Sequence, residues 1–240
     1  MDLSTDRFEV PLYTVSEAAR HLGVPTSTFS AWAHGYVRQP TEGRNLVSGD
    51  AVVTALPVKA KGEASVPFVG LAEGLVLAAI RRAGVPLQRI RPALALLSEQ
   101  VGLQHALASK HLYTDGAEIL FDYAQRHGDT PEARSARQLV VVRKNQYVFN
   151  DVVEQYLQRV TFGTDGYVSL IRLPQYREAD VVVDPRRGFG QPTFARGGAR
   201  LEDVLGAFRA GEPLQVLTEE YGVPMTELED ALRVATRVAA

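Results

Sequence analysis

The sequence predicts a mostly α fold with small β elements: a winged helix-turn-helix at the front, a helical and β-hairpin middle, and a second helix-turn-helix at the end, an α+β chain. Two segments, Val15–Trp32 and Leu214–Ala235, set apolar residues at helical spacing on either side of a glycine, the pattern of two short helices joined by a tight turn. β-Branched and aromatic runs are short and scattered, at Leu139–Phe149, Tyr167–Leu173 and Val181–Val183. Composition shifts and punctuation divide the chain into units 1–101, 102–175 and 176–240.

In chain order, the first segment, VSEAARHLGVPTSTFSAW, puts small Ala19 where two helices cross and Gly23 in the turn, where a positive φ is needed. Ala18, Leu22, Val24, Phe29 and Trp32 supply the apolar contacts, and Pro25 and Thr26 open the second helix at positions that capping prefers. That helix turns Thr26, Ser27, Thr28, Ser30 and His34 outward, short donors and acceptors able to meet phosphates or base edges in a major groove. Arg20 and Arg38 are candidates for phosphate contacts.

Glycines and prolines from Gln39 to Gly70 mark a β-wing and a linker. Helices are expected from Leu71 to Arg82 and from Leu87 to Val101, parted by Gly84 and Pro86, and a short one from Asp115 to Arg126. Leu139–Phe149 reads as strand, turn, strand around Arg143, Lys144, Asn145 and Gln146, followed by a helix from Asp151 to Val160. Strands at Tyr167–Leu173 and Val181–Val183 precede a helical tail that begins near Leu201. In that tail Leu217, Tyr221, Val223, Leu228 and Ala231 point inward around Gly222, while Glu219, Glu220, Glu227, Glu229 and Asp230 form an acidic outer face. Phosphate is repelled by such a face, so the second unit is expected to meet a protein or another copy of the chain.

The composition, 45% apolar and 22% charged, is that of a globular protein. With no cysteine, disulfides, thiolate metal sites and cysteine nucleophiles are excluded, and a cytoplasmic setting is expected. No apolar run is long enough to span a bilayer, so no membrane contact is expected. A net charge of −2 gives no global attraction to nucleic acid, so any DNA contact must be local. His21, His34, His105, His111 and His127 lack metal-ligand spacing and are read as surface or capping residues. The glycines at 188, 190, 197 and 198 are not followed by a phosphate-loop lysine, and no acidic pair lies in an evident cleft. No catalytic residue, metal site or cofactor is expected, and an enzyme is the least favoured class.

The front TVSEAARHLGVPTSTFSAWAHGY, a wing, and the helical pair GLVLAAIRRAGVPLQRIRPAL together resemble the winged helix-turn-helix of MerR-like regulators. The resemblance implies a homodimer reading a palindromic operator. Further on, VVVDPRRGFGQPTFARGGARLEDVLGAFRAGEPLQVLTEEYGVP resembles the small helical domain associated with VapB-type antitoxins, through Asp184, Pro185, Gly190, Pro192, Arg200, Ala210, Gly211, Glu212, Tyr221 and Gly222. With the middle block, nearly the whole chain resembles a VapB-type antitoxin of unusual length. Such a protein implies a partner, a VapC-type PIN-domain ribonuclease whose acidic, metal-holding cleft the antitoxin covers. Arg186, Arg187, Arg196 and Arg200, in a glycine-rich loop, are the candidate toxin-binding residues, and each can equally be a plain surface charge. Two alternatives stay open. One is a free-standing MerR-like regulator with a small-molecule pocket among Tyr113, Phe121, Tyr123, Tyr147, Phe149 and Tyr156; the other is a scaffold that only dimerises.

Overall fold

The computed structural model describes residues 3–38, 47–114 except 61 and 85, and 158–238, together with 130, 142–143, 146–147 and 156. The front comprises α1 (Leu3–Glu9), β1 (Pro11–Tyr13), α2 (Val15–Leu22) and α3 (Thr26–His34). Strands β2 (Tyr36–Arg38), β3 (Val47–Gly49) and β4 (Val66–Pro67) lead to the paired helices α4 (Phe68–Arg82) and α5 (Leu87–Val101). A 3-10 turn at Ala106–Ala108 and the short α6 (Lys110–Thr114) follow.

The second half holds the hairpin β5 (Val142–Arg143) and β6 (Gln146–Tyr147), then β7 (Val160–Phe162), β8 (Val168–Arg172), β9 (Val181–Val183) and β10 (Thr193–Phe194). It ends in three helices, α7 (Leu201–Arg209), α8 (Leu214–Tyr221) and α9 (Met225–Val238). Helices outweigh small antiparallel sheets, which is the expected α+β mix. The largest sheet has the order β10-β9-β8-β7 and takes strands from both sides of residue 175.

Helix α4 is the keel of the molecule. Apolar residues cover all its sides, and everything from Phe68 to Ala78 is buried, as is Ile80, so it is a core helix rather than an amphipathic surface one. It begins at Phe68, three residues before the expected Leu71, because Val66 and Pro67 pair with β1 and lead straight into it. Helices α1, α2 and α3, strands β1 and β4, and strand β8 all pack against it. At Gly74 the α4 backbone comes so close to its neighbours that a Cβ would stand 2.7 Å from Phe29 and 2.8 Å from Leu22. The two front helices are therefore seated directly on this glycine.

One element is not foreseen in the sequence, and one expected helix ends early. The start of the chain, where no element is expected, forms α1, whose Arg7 is buried, pairs with Asp165 and donates from Nη1 to the Val168 carbonyl at 3.3 Å. Where the expected helix from Asp151 ends, Gln158 and Arg159 make a turn and Val160 opens β7; residues 151–155 lie outside the described set. The expected helix Asp115–Arg126 lies outside it too, as do the side chains of Tyr113, Phe121, Tyr123, Tyr147 and Phe149, while Tyr156 is buried in the core. The hairpin expected in Leu139–Phe149 is present as β5 and β6, with Val142 opposite Tyr147 and Arg143 opposite Gln146.

Candidate nucleic-acid interface

Helix α2 starts with a capping box. The Thr14 hydroxyl accepts the Glu17 N–H at 3.1 Å, and Glu17 Oε2 accepts the Thr14 N–H at 2.8 Å. Burial pushes the Glu17 carboxyl up, but these Thr14 hydrogen bonds, with Arg20 and His21 nearby, outweigh it and hold the pKa below the usual range. The helix stops at Gly23, whose φ of +63° lets its N–H reach back to the Ala19 and Arg20 carbonyls. Ala18, Ala19 and Leu22 are buried beneath the turn. Helix α3 follows, opened as expected by Pro25 at its cap position and Thr26 as its first residue, with no side-chain hydrogen bond at the cap.

Phe29, Trp32 and Ala33 form the buried face of α3, with the Phe29 and Trp32 rings 6.2 Å apart. Thr26, Ser27 and His34 are exposed and Thr28 and Ser30 half-buried; by helical spacing Thr26, Ser27, Ser30 and His34 share one side of α3, and Thr28 lies round from them beside Trp32. Strands β2 and β3 form the wing, with Tyr36 opposite Gly49 and Arg38 opposite Val47. Its base is fixed from two sides. The Trp32 carbonyl accepts the Val52 and Val53 N–H groups at 2.8 and 3.1 Å. From α5, Arg91 donates to the Asp50 carbonyl at 2.8 Å and lies 5.3 Å over the Tyr36 ring. Val37 is 69% exposed on the wing; the Arg38 side chain is outside the described set.

Arg20 is exposed but sits apart from the α3 surface. It lines a cleft of about 480 Å³ where α2 meets the C-terminal helices, with Tyr176, Arg200, Glu202 and Arg209. The cations missed by the sequence reading are Arg81 and Arg82, exposed at the end of α4, where Arg82 donates to the Leu22 carbonyl at 3.5 Å. Two adjacent arginines closing the helix that carries α2 and α3 were the available signal. His21 is not a surface residue: it is 6% exposed and meets the Tyr13 ring edge-on at 5.8 Å. Burial, with Arg20 nearby, pushes its imidazole down to about 4 despite Glu17.

The second helix-turn-helix is present as α8 and α9 around Gly222, with Leu217, Val223, Leu228 and Ala231 buried. Its acidic outer face needs correction. Glu219, Glu220 and Glu229 are exposed, but Glu227 and Asp230 are buried. Asp230 Oδ2 accepts the backbone N–H groups of Arg177, Glu178 and Ala179 at 2.7, 2.9 and 3.1 Å, and Glu227 accepts that of Asp180 at 3.3 Å. These carboxylates anchor the loop before β9. Burial raises the Asp230 pKa, but the three donors and Arg233 outweigh it and bring it below the ordinary value.

All four loop arginines are at least half exposed, and each has a carboxylate within reach. Arg186 grips buried Asp184 with two hydrogen bonds of 3.1 Å, and Arg187 stands 4.0 Å from the same group. Arg196 and Arg200 lie 4.0 Å from Glu227 and Asp203. Among the described residues no helix is long and apolar enough to cross a membrane, and no group of three or more metal-ligating side chains gathers.

Comparison with known proteins agrees with this geometry. A family model described as "Putative DNA-binding HTH domain" matches residues 11–94, from β1 to the middle of α5. A Mycobacterium tuberculosis protein named "Putative antitoxin VapB45" is 52% identical over 227 residues, 94% of each chain. A second protein of that organism, "Uncharacterized protein Rv2308", is 27% identical over 98% of this chain and 97% of its own. The crystal structure of Rv2018 from Mycobacterium tuberculosis superposes with a TM-score of 0.76 at 49% identity, over 94% of this chain and 99% of that one. The chain therefore carries a helix-turn-helix domain at its front and belongs to the family of the mycobacterial protein named "Putative antitoxin VapB45".

Proposed function

We propose that this protein is the antitoxin of a type II toxin-antitoxin pair, binding and silencing a VapC-like PIN-domain ribonuclease in the cytoplasm. The observation that carries the reading is identity of 52% over 94% of both chains with a protein named as an antitoxin. The helix-turn-helix adds regulation: as a homodimer, the chain represses its own operon by laying α3 in the major groove of a two-fold operator. Thr26, Ser27, Thr28, Ser30 and His34 reach base edges or phosphates and Arg38 contributes a phosphate contact, while Arg20, in the cleft against the C-terminal helices, is left out of that role. Inhibition is by covering the ribonuclease, so the chain itself performs no catalysis. Arg186, Arg187, Arg196 and Arg200 are the candidate contacts to the ribonuclease. Arg200 can exchange its exposed pair with Asp203 for a partner carboxylate at little net expense, because surface pairs contribute about 0–1 kcal/mol. Arg186, Arg187 and Arg196 instead face the buried carboxylates Asp184 and Glu227 and would reach a partner while keeping those pairs.

Co-expression with the adjacent open reading frame tests the reading. A stable complex, and relief of the growth arrest that the neighbour causes alone, is the expected result. A harmless neighbour that never co-purifies refutes it. The free-standing regulator then becomes the better account, with the cleft of about 480 Å³ beside Arg20 as its effector site.

A further inference from the structure

We propose that Phe189 is the anchor of a docking surface for an acidic protein, its ring entering an apolar pocket whose carboxylate rim meets Arg186 and Arg187. Phe189 is 86% exposed, more than any other large apolar side chain among the described residues, and its φ is +55°. Together with Gly188 at +55° and Gly190 at +72°, it makes three successive left-handed residues. A phenylalanine in that conformation is strained, whereas a glycine there is not. An exposed ring also buries no apolar surface in return. The folded chain thus gains nothing from phenylalanine at this point; a partner that buries the ring would.

The turn is held rigid from below. Gly190 donates to the Arg187 carbonyl at 3.0 Å, Gln191 to that of Gly188 at 3.0 Å, and Arg187 to that of Asp184 at 2.9 Å. The buried Tyr13 hydroxyl donates to the Gly190 carbonyl at 2.6 Å, tying the turn to β1. A rigid aromatic knob loses little freedom on binding, which is the property of interface hot spots. The charges beside it choose the partner. Arg186 and Arg187 share one carboxylate, Asp184, and so leave a modest positive excess around an apolar tip. A polyanion such as DNA rewards many uncompensated cations, whereas an apolar pocket rimmed by a few carboxylates rewards this arrangement.

Identifying that partner with the ribonuclease rests on the function proposed above, and the test separates the two ideas. The full chain carrying Phe189→Trp is titrated with the purified ribonuclease of the adjacent frame, and affinities of the wild type and Phe189→Gly are measured by calorimetry. Expected are a blue shift of the Phe189→Trp indole emission that the wild type, whose own indole is Trp32, does not show, and a loss of affinity of about thirty-fold or more for Phe189→Gly. The melting temperature of that variant is expected to stay or rise, because glycine accepts the left-handed backbone. Unchanged affinity with an unshifted indole, while the wild type binds, overturns the anchor and leaves the antitoxin function standing. A wild type that does not bind the ribonuclease overturns that function, and the anchor with it. An indole shift produced by operator duplex in Phe189→Trp, beyond any that Trp32 on α3 gives in the wild type, overturns the assignment to a protein.

Discussion

Buried His21 makes the front of the molecule sensitive to acid, by an amount that follows from its surroundings. Its imidazole is 6% exposed, and its folded pKa is pushed from 6.5 down to about 4. The unfolded chain therefore takes up a proton in this window while the folded one does not. Stability is fully present above the unfolded value and drains away as the pH falls through the window. At pH 5 the linkage expression gives a loss of about 2 kcal/mol relative to pH 7, a substantial part of the usual 5–15 kcal/mol margin. The perturbation is His21→Leu, which cannot take up the proton. Urea unfolding of both proteins at pH 7 and pH 5 is the assay, with the difference of differences as the readout, so any packing change in the variant cancels. The wild type is expected to lose about 2 kcal/mol more than the variant. Equal losses in the two proteins, or an imidazole that titrates near 6.5 by NMR in the folded chain, would refute the reasoning.

Three other outcomes are expected. Asp230→Ala strands three backbone N–H groups and should destabilise by about 2–3 kcal/mol in chemical denaturation at neutral pH, with Asp230→Asn milder because one acceptor oxygen remains; since the folded carboxyl pKa is lowered, the difference from wild type should shrink as the pH falls below the ordinary aspartate range. Gly197→Ala should cost about 3 kcal/mol or more in thermal unfolding, because φ is +77° and a Cβ would stand 2.1 Å from the Tyr221 carbonyl oxygen; a melting point equal to wild type would show that the loop does not press on the end of α8. Ser27→Glu with Ser30→Glu should abolish the electrophoretic shift of the operator while moving stability by less than about 0.5 kcal/mol, and an unaltered shift would remove α3 as the reading helix.

The parts legible in the sequence are those whose cause is local. Gly23 and Gly222 announce their turns because left-handed backbone is a local requirement, and the helices around them follow from spacing that one helix face imposes. The wing was legible only as a turn-rich stretch, since its register depends on Arg91 and Trp32, which arrive from other helices. Helix α1 escaped because Arg7 looks like surface charge until residues 165 and 168 are brought to it. Glu227 and Asp230 were misplaced for the same reason: a hydrophilic stripe on α9 faces solvent unless a loop supplies amides to bind it, and residues 177–180 do. Phe189 drew no attention because exposure is a tertiary property, and a phenylalanine between glycines carries no periodic signal.

The ties of Arg7 to Val168 and of Tyr13 to Gly190 span 161 and 177 residues. A ribosome releases the helix-turn-helix early, yet these two buried anchors find their partners only after most of the chain has emerged. Until then an arginine and a tyrosine destined for the interior stay in water, and β1 has nothing to lean on from the later strands. A truncated or prematurely cleaved chain would therefore carry α2 and α3 on an unfinished base, so the order of synthesis leaves the front half waiting on the back half for its last two buried ties.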